Sequence, residues 1–199
     1  MRDLLISTST LLVIIALVII LVVIANKLGK LNRKQILAWR IIHFTGIIIL
    51  FSGLLGTLLL TVNASTSLTR IEQVQTAHHL ARLFDWYFIV PGAFISLLSG
   101  IWLSVRSQWG LTNYHWTMVK TLGTIGCILF GSTWMRIWFE QTILLSSTGL
   151  LNNPVYIHNR QMLLLGTVVS LAMLFFLVIV SYLKPWGKRR YSLGGQESE

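Results

Sequence analysis

Few ionisable side chains interrupt the apolar stretches of this 199-residue chain, and their types and spacing bound the chemistry it can do. His43 lies about five residues into one apolar stretch, and Lys120 lies a turn into another. A neutral imidazole is a metal ligand and a proton carrier. A lysine among apolar groups offers a cation to an anionic group or a proton to share. Arg136 and Glu140 stand four residues apart, which places both on one helix face. They read as a local ion pair or as part of an ion or proton path. His115 precedes the Lys120 stretch, whereas His78, His79 and His158 gather at the far ends of two others. A bis-histidine haem needs two imidazoles from different helices at similar depth. His43 with His115, and His79 with His158, satisfy that depth criterion; hydration or a hydrogen bond is the simpler role for each terminal histidine. His43 is thus the candidate metal ligand, and His43, Lys120 and His115 are the cofactor-binding candidates. Arg136, Glu140, His79 and His158 are secondary.

Two stripes run away from the main candidates. The His43 stripe continues through Gly46, Leu50, Gly53 and Thr57, a low track against which a macrocycle or another helix can lie. The Lys120 stripe continues through Thr124, Cys127 and Gly131, a small polar face that suits a bundle interior, with snorkelling to the interface as the competing reading.

The elements that carry these residues are membrane helices. Hydrophobic residues make up 54% of the chain, charged residues 11%, and mean hydropathy is +0.72. A soluble domain carries about 25% charged residues, so a water-facing surface cannot be covered here. Disorder, collagen, coiled coil and nucleic-acid binding are excluded on that ground. Cys127 is the single cysteine, so neither an intrachain disulfide nor a cysteine-rich metal site is possible. A bilayer core of about 30 Å needs roughly 20 apolar residues as helix. Leu5–Ala25, Ala38–Val62, Phe84–Val105, Met118–Leu145 and Met162–Leu183 meet that length. The first is a Leu/Ile/Val run without the charged leader and cleavage site of a secretory signal, and reads as an uncleaved anchor.

Basic residues orient the spans. Lys27, Lys30, Arg33, Lys34, Arg40, Arg106, Lys120, Lys184, Lys188, Arg189 and Arg190 fall on one side, against Arg2, Arg70, Arg82 and Arg160 on the other. The positive-inside rule then puts the N-terminus outside and the C-terminus in the cytoplasm. The net charge of +10 is a topology code rather than a nucleic-acid signal. The organisation expected is an anchor helix over 1–30, a helical bundle over 31–185 and a cytoplasmic tail over 186–199.

Small residues point to how the spans pack, because close approach drives helix association in lipid. Gly46, Gly53 and Gly56 mark the second span; Gly92, Ser96 and Gly100 the third; Gly123, Gly126 and Gly131 the fourth; Gly166 and Ser170 the fifth. The first span has few small residues, so the fold expected is an all-α, polytopic, four-helix transmembrane bundle with one peripheral N-terminal helix. Pro91 predicts a bend in the third span. Thr69–Leu83 reads as an amphipathic helix with a Thr69/Glu72 capping box, lying in the interface or extending the third span.

The run Phe84-Asp-Trp-Tyr-Phe-Ile-Val-Pro-Gly, with Ser99-Gly-Ile-Trp-Leu, His43 and Lys184-Pro185, resembles an uncharacterised bacterial integral-membrane family known as a domain of unknown function. The segment Tyr114-His-Trp-Thr-Met-Val-Lys-Thr-Leu-Gly is similar to the W-x-x-x-K-x-L helix start of the copper-resistance D-type and HemJ-type superfamily. These motifs span the second to fifth helices. The resemblance implies a four-helix membrane bundle, and the location expected for the chain is a bacterial plasma membrane, which it crosses several times. In HemJ-type proteins, which oxidise protoporphyrinogen and bind haem b, a membrane histidine and a helix lysine are the important polar groups; His43 and Lys120 match them. Phe44-Thr45-Gly46 departs from the HemJ pattern, so that activity does not transfer. Copper movement, the other implication, favours clustered Met and Cys, and Met1, Met118, Met135, Met162 and Met173 are scattered.

Three functions are expected on these grounds. The first is a haem- or porphyrin-associated bundle with a redox or haem-metabolism accessory role, His43 ligating haem b. The second is a small transporter or ion path through Arg136, Glu140 and Lys120. The third is a non-catalytic accessory subunit docking a membrane partner or a second copy. The lipid bilayer is the one partner common to all three. No phosphate loop, zinc-protease motif or nucleophile elbow occurs.

Overall fold

The computed structural model describes residues 2–66 and 70–186. Thr69 of the expected capping box and the tail from 187 on, with Lys188, Arg189 and Arg190, lie outside the described residues. The described chain is all-helical. Its helices are α1 (Arg2–Lys27), α2 (Arg33–Thr66), α3 (Ile71–Phe84), α4 (Val90–Arg106), α5 (His115–Phe130), α6 (Arg136–Ser147) and α7 (Pro154–Leu183). A π-helical turn at Asp85–Ile89 joins α3 to α4, and another at Gly131–Met135 joins α5 to α6. Among the described residues, three helical runs are long and apolar enough to cross a membrane: Arg33–Thr66, Ile71–Arg106 and Pro154–Leu183. Leu11–Lys27 is a shorter apolar helix. The α5–α6 run carries Lys120, Arg136 and Glu140, which lowers its hydropathy.

Connections gather by end. Leu31 N–H donates to the Arg106 carbonyl at 3.0 Å, and Lys30 Nζ donates to the carbonyls of Val105 and Ser107. Lys184 stacks over Trp109 at the same end, 4.2 Å from the ring centroid. At the opposite end Gln75 Nε2 donates to the Ser146 carbonyl at 2.9 Å, and Tyr156 packs with Ala64, Val74 and Ala77. Neighbouring helical runs therefore alternate in direction. The outer face is apolar, with Leu37, Ile48, Leu59, Leu122 and Leu165 all more than half exposed, the surface a bilayer solvates.

The α2, α4, α5 and α7 runs surround a central axis. The α2–α4 seam is closed by the small residues that the sequence marks. A Cβ on Gly92 would sit 2.5 Å from Leu50 N and 2.9 Å from the Gly46 carbonyl oxygen, and one on Gly46 would meet Ser96 N at 2.9 Å. Backbone cannot retreat as a side-chain tip can. Gly92→Ala is accordingly expected to destabilise the detergent-solubilised protein by about 1–3 kcal/mol in thermal unfolding. Gly126→Ala, whose added Cβ meets nothing within 4 Å, is the neutral control. Gly123 seals α5 against α7, where Leu177 and Met173 fill the space beside it. On the outside of the α4–α5 seam lies α1, its buried Ile14 packed with Leu97 and Ile101 and its other faces exposed.

Two expectations are refined by the backbone. Pro91 has no N–H to give, and the helix accommodates it by a π-turn just ahead rather than by ending: Val90 N–H reaches back five residues to the Asp85 carbonyl. The amphipathic segment extends the next span, since α3 runs through that turn into α4 and buries Val74, Ala77, His78 and Ala81.

Candidate functional site

His43 and Lys120, 77 residues apart in sequence, meet inside the bundle. Lys120 Nζ lies 3.0 Å from His43 Nε2 and 3.2 Å from Ser181 Oγ. His43 Nδ1 lies 3.0 Å from Ser99 Oγ. An ammonium only donates, so with Lys120 charged Nε2 accepts and the ring proton sits on Nδ1, which donates to Ser99. The Ser99 hydroxyl in turn donates to the Ile95 carbonyl one turn back. Gly100 makes room for the ring, because a Cβ there would lie 3.2 Å from His43 Cε1. The network thus fixes Lys120 from two sides and commits two of its three N–H donors.

Lys120 and His43 line one end of a cavity of about 430 Å³. Thr124, Cys127 and Gly131, the predicted Lys120 stripe, line it too, and Lys120 is half-buried. The His43 stripe behaves differently. Gly46 and Leu50 press against α4 and Gly53 against the π-turn ahead of it, so a helix and not a macrocycle occupies that track. Along α2 the cavity reaches from His43 to Leu54, about 17 Å at 1.5 Å per residue. Its walls are mostly apolar, with the hydroxyls of Ser96, Ser132 and Ser170 among them. Both π-turns contribute at the far end, where Asp85, Arg82 and Arg136 face the cavity. There Arg136 Nε donates to Glu140 at 2.9 Å, with Arg82 3.7 Å from the same oxygen. Glu140 is half exposed, so this ion pair contributes little to stability. No carboxylate among the described residues lies within ion-pairing reach of Lys120.

A second buried polar group was not among the sequence candidates. His78 Nε2 lies 3.1 Å from the Tyr156 hydroxyl, both residues being essentially inaccessible, and the Arg160 guanidinium lies over the Tyr156 ring. His78 Nδ1, Arg160 Nε, Thr57 Oγ1 and Thr142 Oγ1 are buried without a hydrogen-bond partner in the structure. Tyr156→Phe leaves His78 with both nitrogens unsatisfied. A loss of about 1–3 kcal/mol is expected in thermal unfolding. The signal for His78 was its place on the Val74–His78–Ala81 stripe; His79 is one residue off that stripe and exposed.

The remaining candidates stay apart. His115, His79 and His158 are exposed and none joins the His43 network. An axial bond to haem iron requires an imidazole nitrogen with an uncommitted lone pair. Both His43 nitrogens are engaged, and His115 is outside the network, so this arrangement does not fit bis-histidine ligation. Among the described residues no group of three or more His, Cys, Asp or Glu is placed to hold a metal ion.

Residues 37–185 match the family described as predicted integral membrane protein (DUF2269). No curated protein and no solved structure matches the chain.

Proposed function

The chain belongs to the DUF2269 family of predicted integral membrane proteins, and on that premise we propose that it binds, inside the bilayer, an apolar molecule bearing an anionic group that Lys120 receives. The bundle is read as five spans in a bacterial cytoplasmic membrane, N-terminus outside. One observation carries the reading: a half-buried ammonium faces a mostly apolar-walled cavity with an N–H to spare and, among the described residues, no carboxylate beside it. A cation withdrawn from water without a counter-charge is costly, and an anionic ligand group supplies that counter-charge. His43 and Ser181 hold the ammonium in place.

Haem and porphyrins belong to this ligand class through their propionates, and the similarity of Trp116-x-x-x-Lys120-x-Leu122 to copper-resistance D-type and HemJ-type proteins supports them. In that form the macrocycle is held by a carboxylate rather than by His43 on iron, in a haem-metabolism accessory role. Bound haem would supply one-electron redox chemistry. This chain's part is to bind and orient it through Lys120.

The test compares acids with their methyl esters. Protoporphyrin IX and palmitic acid, each beside its ester, are titrated into the detergent-purified protein. At least one acid is expected to bind tenfold or more tighter than its ester, and Lys120→Met to erase that preference. Equal affinity for acid and ester throughout overturns the reading. A transport reading draws on the reach of the cavity to Arg82, Asp85 and Arg136; proton flux into liposomes that is unchanged by Asp85→Asn and Glu140→Gln would count against it.

A further inference from the structure

We infer that the ligand is a single-chain lipid acid that reaches Lys120 sideways from the bilayer, through an opening between α2 and α7. The inference rests on Lys120 as the anion receptor and adds the shape of the ligand and its route.

The route is set by which seams are sealed. Between α2 and α4 the backbones touch at Gly46 and Gly92, and Gly53 closes α2 against the π-turn at Phe88 and Ile89. Between α5 and α7, Leu177 and Met173 fill the space beside Gly123. Across α4 and α5 lies α1, with Ile14 inserted against Leu97 and Ile101. The α2–α7 seam is closed midway, where the Phe51 and Phe175 rings meet edge-on at 5.3 Å. Below that contact, toward Lys120, the residues flanking the seam are exposed. Phe44 of α2 and Val178 and Tyr182 of α7 line the cavity while being 59%, 39% and 86% exposed on the outer face. A residue that lines a cavity and also faces lipid marks a rim; Trp86, 54% exposed, marks another at the far end of the cavity, away from Lys120. Behind the α2–α7 rim stand His43, Lys120 and Ser181.

The shape of the ligand is set by the cavity. It is elongated, about 17 Å from His43 to Leu54 by helical rise, with Lys120 at the end nearest the opening, apolar walls along most of its length, and Arg82, Asp85 and Arg136 together at the far end, where the two cations have carboxylates beside them. An extended chain with one terminal carboxylate matches that polarity: the carboxylate stays beside Lys120, near the headgroup level, and the chain runs inward. The apolar rim suits passage of methylenes, and the aromatic ring of Tyr182 suits the interface.

Photolabelling tests this. The full chain is reconstituted in phosphatidylcholine vesicles with a palmitic acid analogue carrying a diazirine at mid-chain, and labelled residues are mapped. Labelling is expected at interior positions such as Ile47, Leu50 and Leu174, falling about tenfold with excess palmitate and in Lys120→Met. Val178→Trp, which narrows the rim, is expected to cut it about tenfold, and Val178→Ala to raise the labelling rate. Interior labelling that depends on Lys120 but is indifferent to both Val178 variants overturns the route and leaves the receptor reading standing. Absence of palmitate-competable interior labelling, with protoporphyrin IX still preferred to its ester, overturns the single-chain ligand alone. Loss of acid preference for every pair brings down both.

Discussion

Replacing Lys120 with methionine is expected to weaken binding of the apolar anion roughly a hundredfold and, at the same time, to stabilise the empty protein. The two signs come from one physical fact. Lys120 faces the cavity with no carboxylate beside it among the described residues, so in the empty protein its charge is desolvated without a partner. Methionine has similar length and no charge; relief of the desolvated charge is offset in part by the donor that His43 Nε2 and Ser181 Oγ lose, so a net gain of under about 1 kcal/mol is expected. With ligand present the balance reverses. Removing one member of a desolvated, hydrogen-bonded charge pair costs about 2–5 kcal/mol, and 1.4 kcal/mol is a factor of ten. Thermal unfolding without ligand, and titration with the preferred acid, measure the two signs separately. A purely structural lysine would lose stability and leave affinity unmoved.

His43→Ala is the second large effect, and here stability falls. The ring bridges Ser99 and Lys120 and packs on Gly100. Truncation opens a void between α2 and α4 and takes one hydrogen bond each from Ser99 and Lys120, so a loss of about 3 kcal/mol is expected from the void and unmade hydrogen bonds together. Ser99→Ala, which removes only the far contact, should cost about 1 kcal/mol. Affinity should drop less than in Lys120→Met, because the ammonium remains and loses only one of its two fixings. Added imidazole, which can refill the void and accept from Lys120, should recover part of both losses. If haem does bind, its spectrum should survive His43→Ala; a Soret band lost with this substitution would make His43 an iron ligand after all.

The fold was legible where contacts are made by small residues. Gly46, Gly53, Gly92 and Ser96 lie at helical spacing, and close backbone approach needs such residues on both partners; the α2–α4 seam uses Gly46, Gly92 and Ser96, and Gly53 meets the π-turn just ahead of α4. The inward face of α5 was legible for the same reason, since Lys120, Thr124, Cys127 and Gly131 recur along one stripe and all line the cavity. What no stripe conveys is which side chains meet across helices. His43 and Lys120 stood out singly, but their contact depends on how two distant helices are rotated, and nothing local records that. Depth alone also misleads. His79 and His158 were chosen by depth, yet both are exposed, while His78 and Tyr156 carry the buried contact. The face was the better guide: Val74, His78 and Ala81 form one stripe, and Tyr156, Asn159 and Leu163 another. The π-turns left little trace. Each inserts one residue into the helical repeat and so rotates the side chains of the next helix, and only Pro91 hints at the first of them.

The receptor role of Lys120 is tested most directly by asking what the protein carries out of its own membrane. Wild-type protein and the Lys120→Met variant, purified in the same mild detergent, are compared by mass spectrometry of intact complexes and of their organic extracts. Wild-type chains are expected to hold a stoichiometric apolar molecule with a free anionic group, and the variant to lack it. The same molecule at equal occupancy in both proteins would contradict the account.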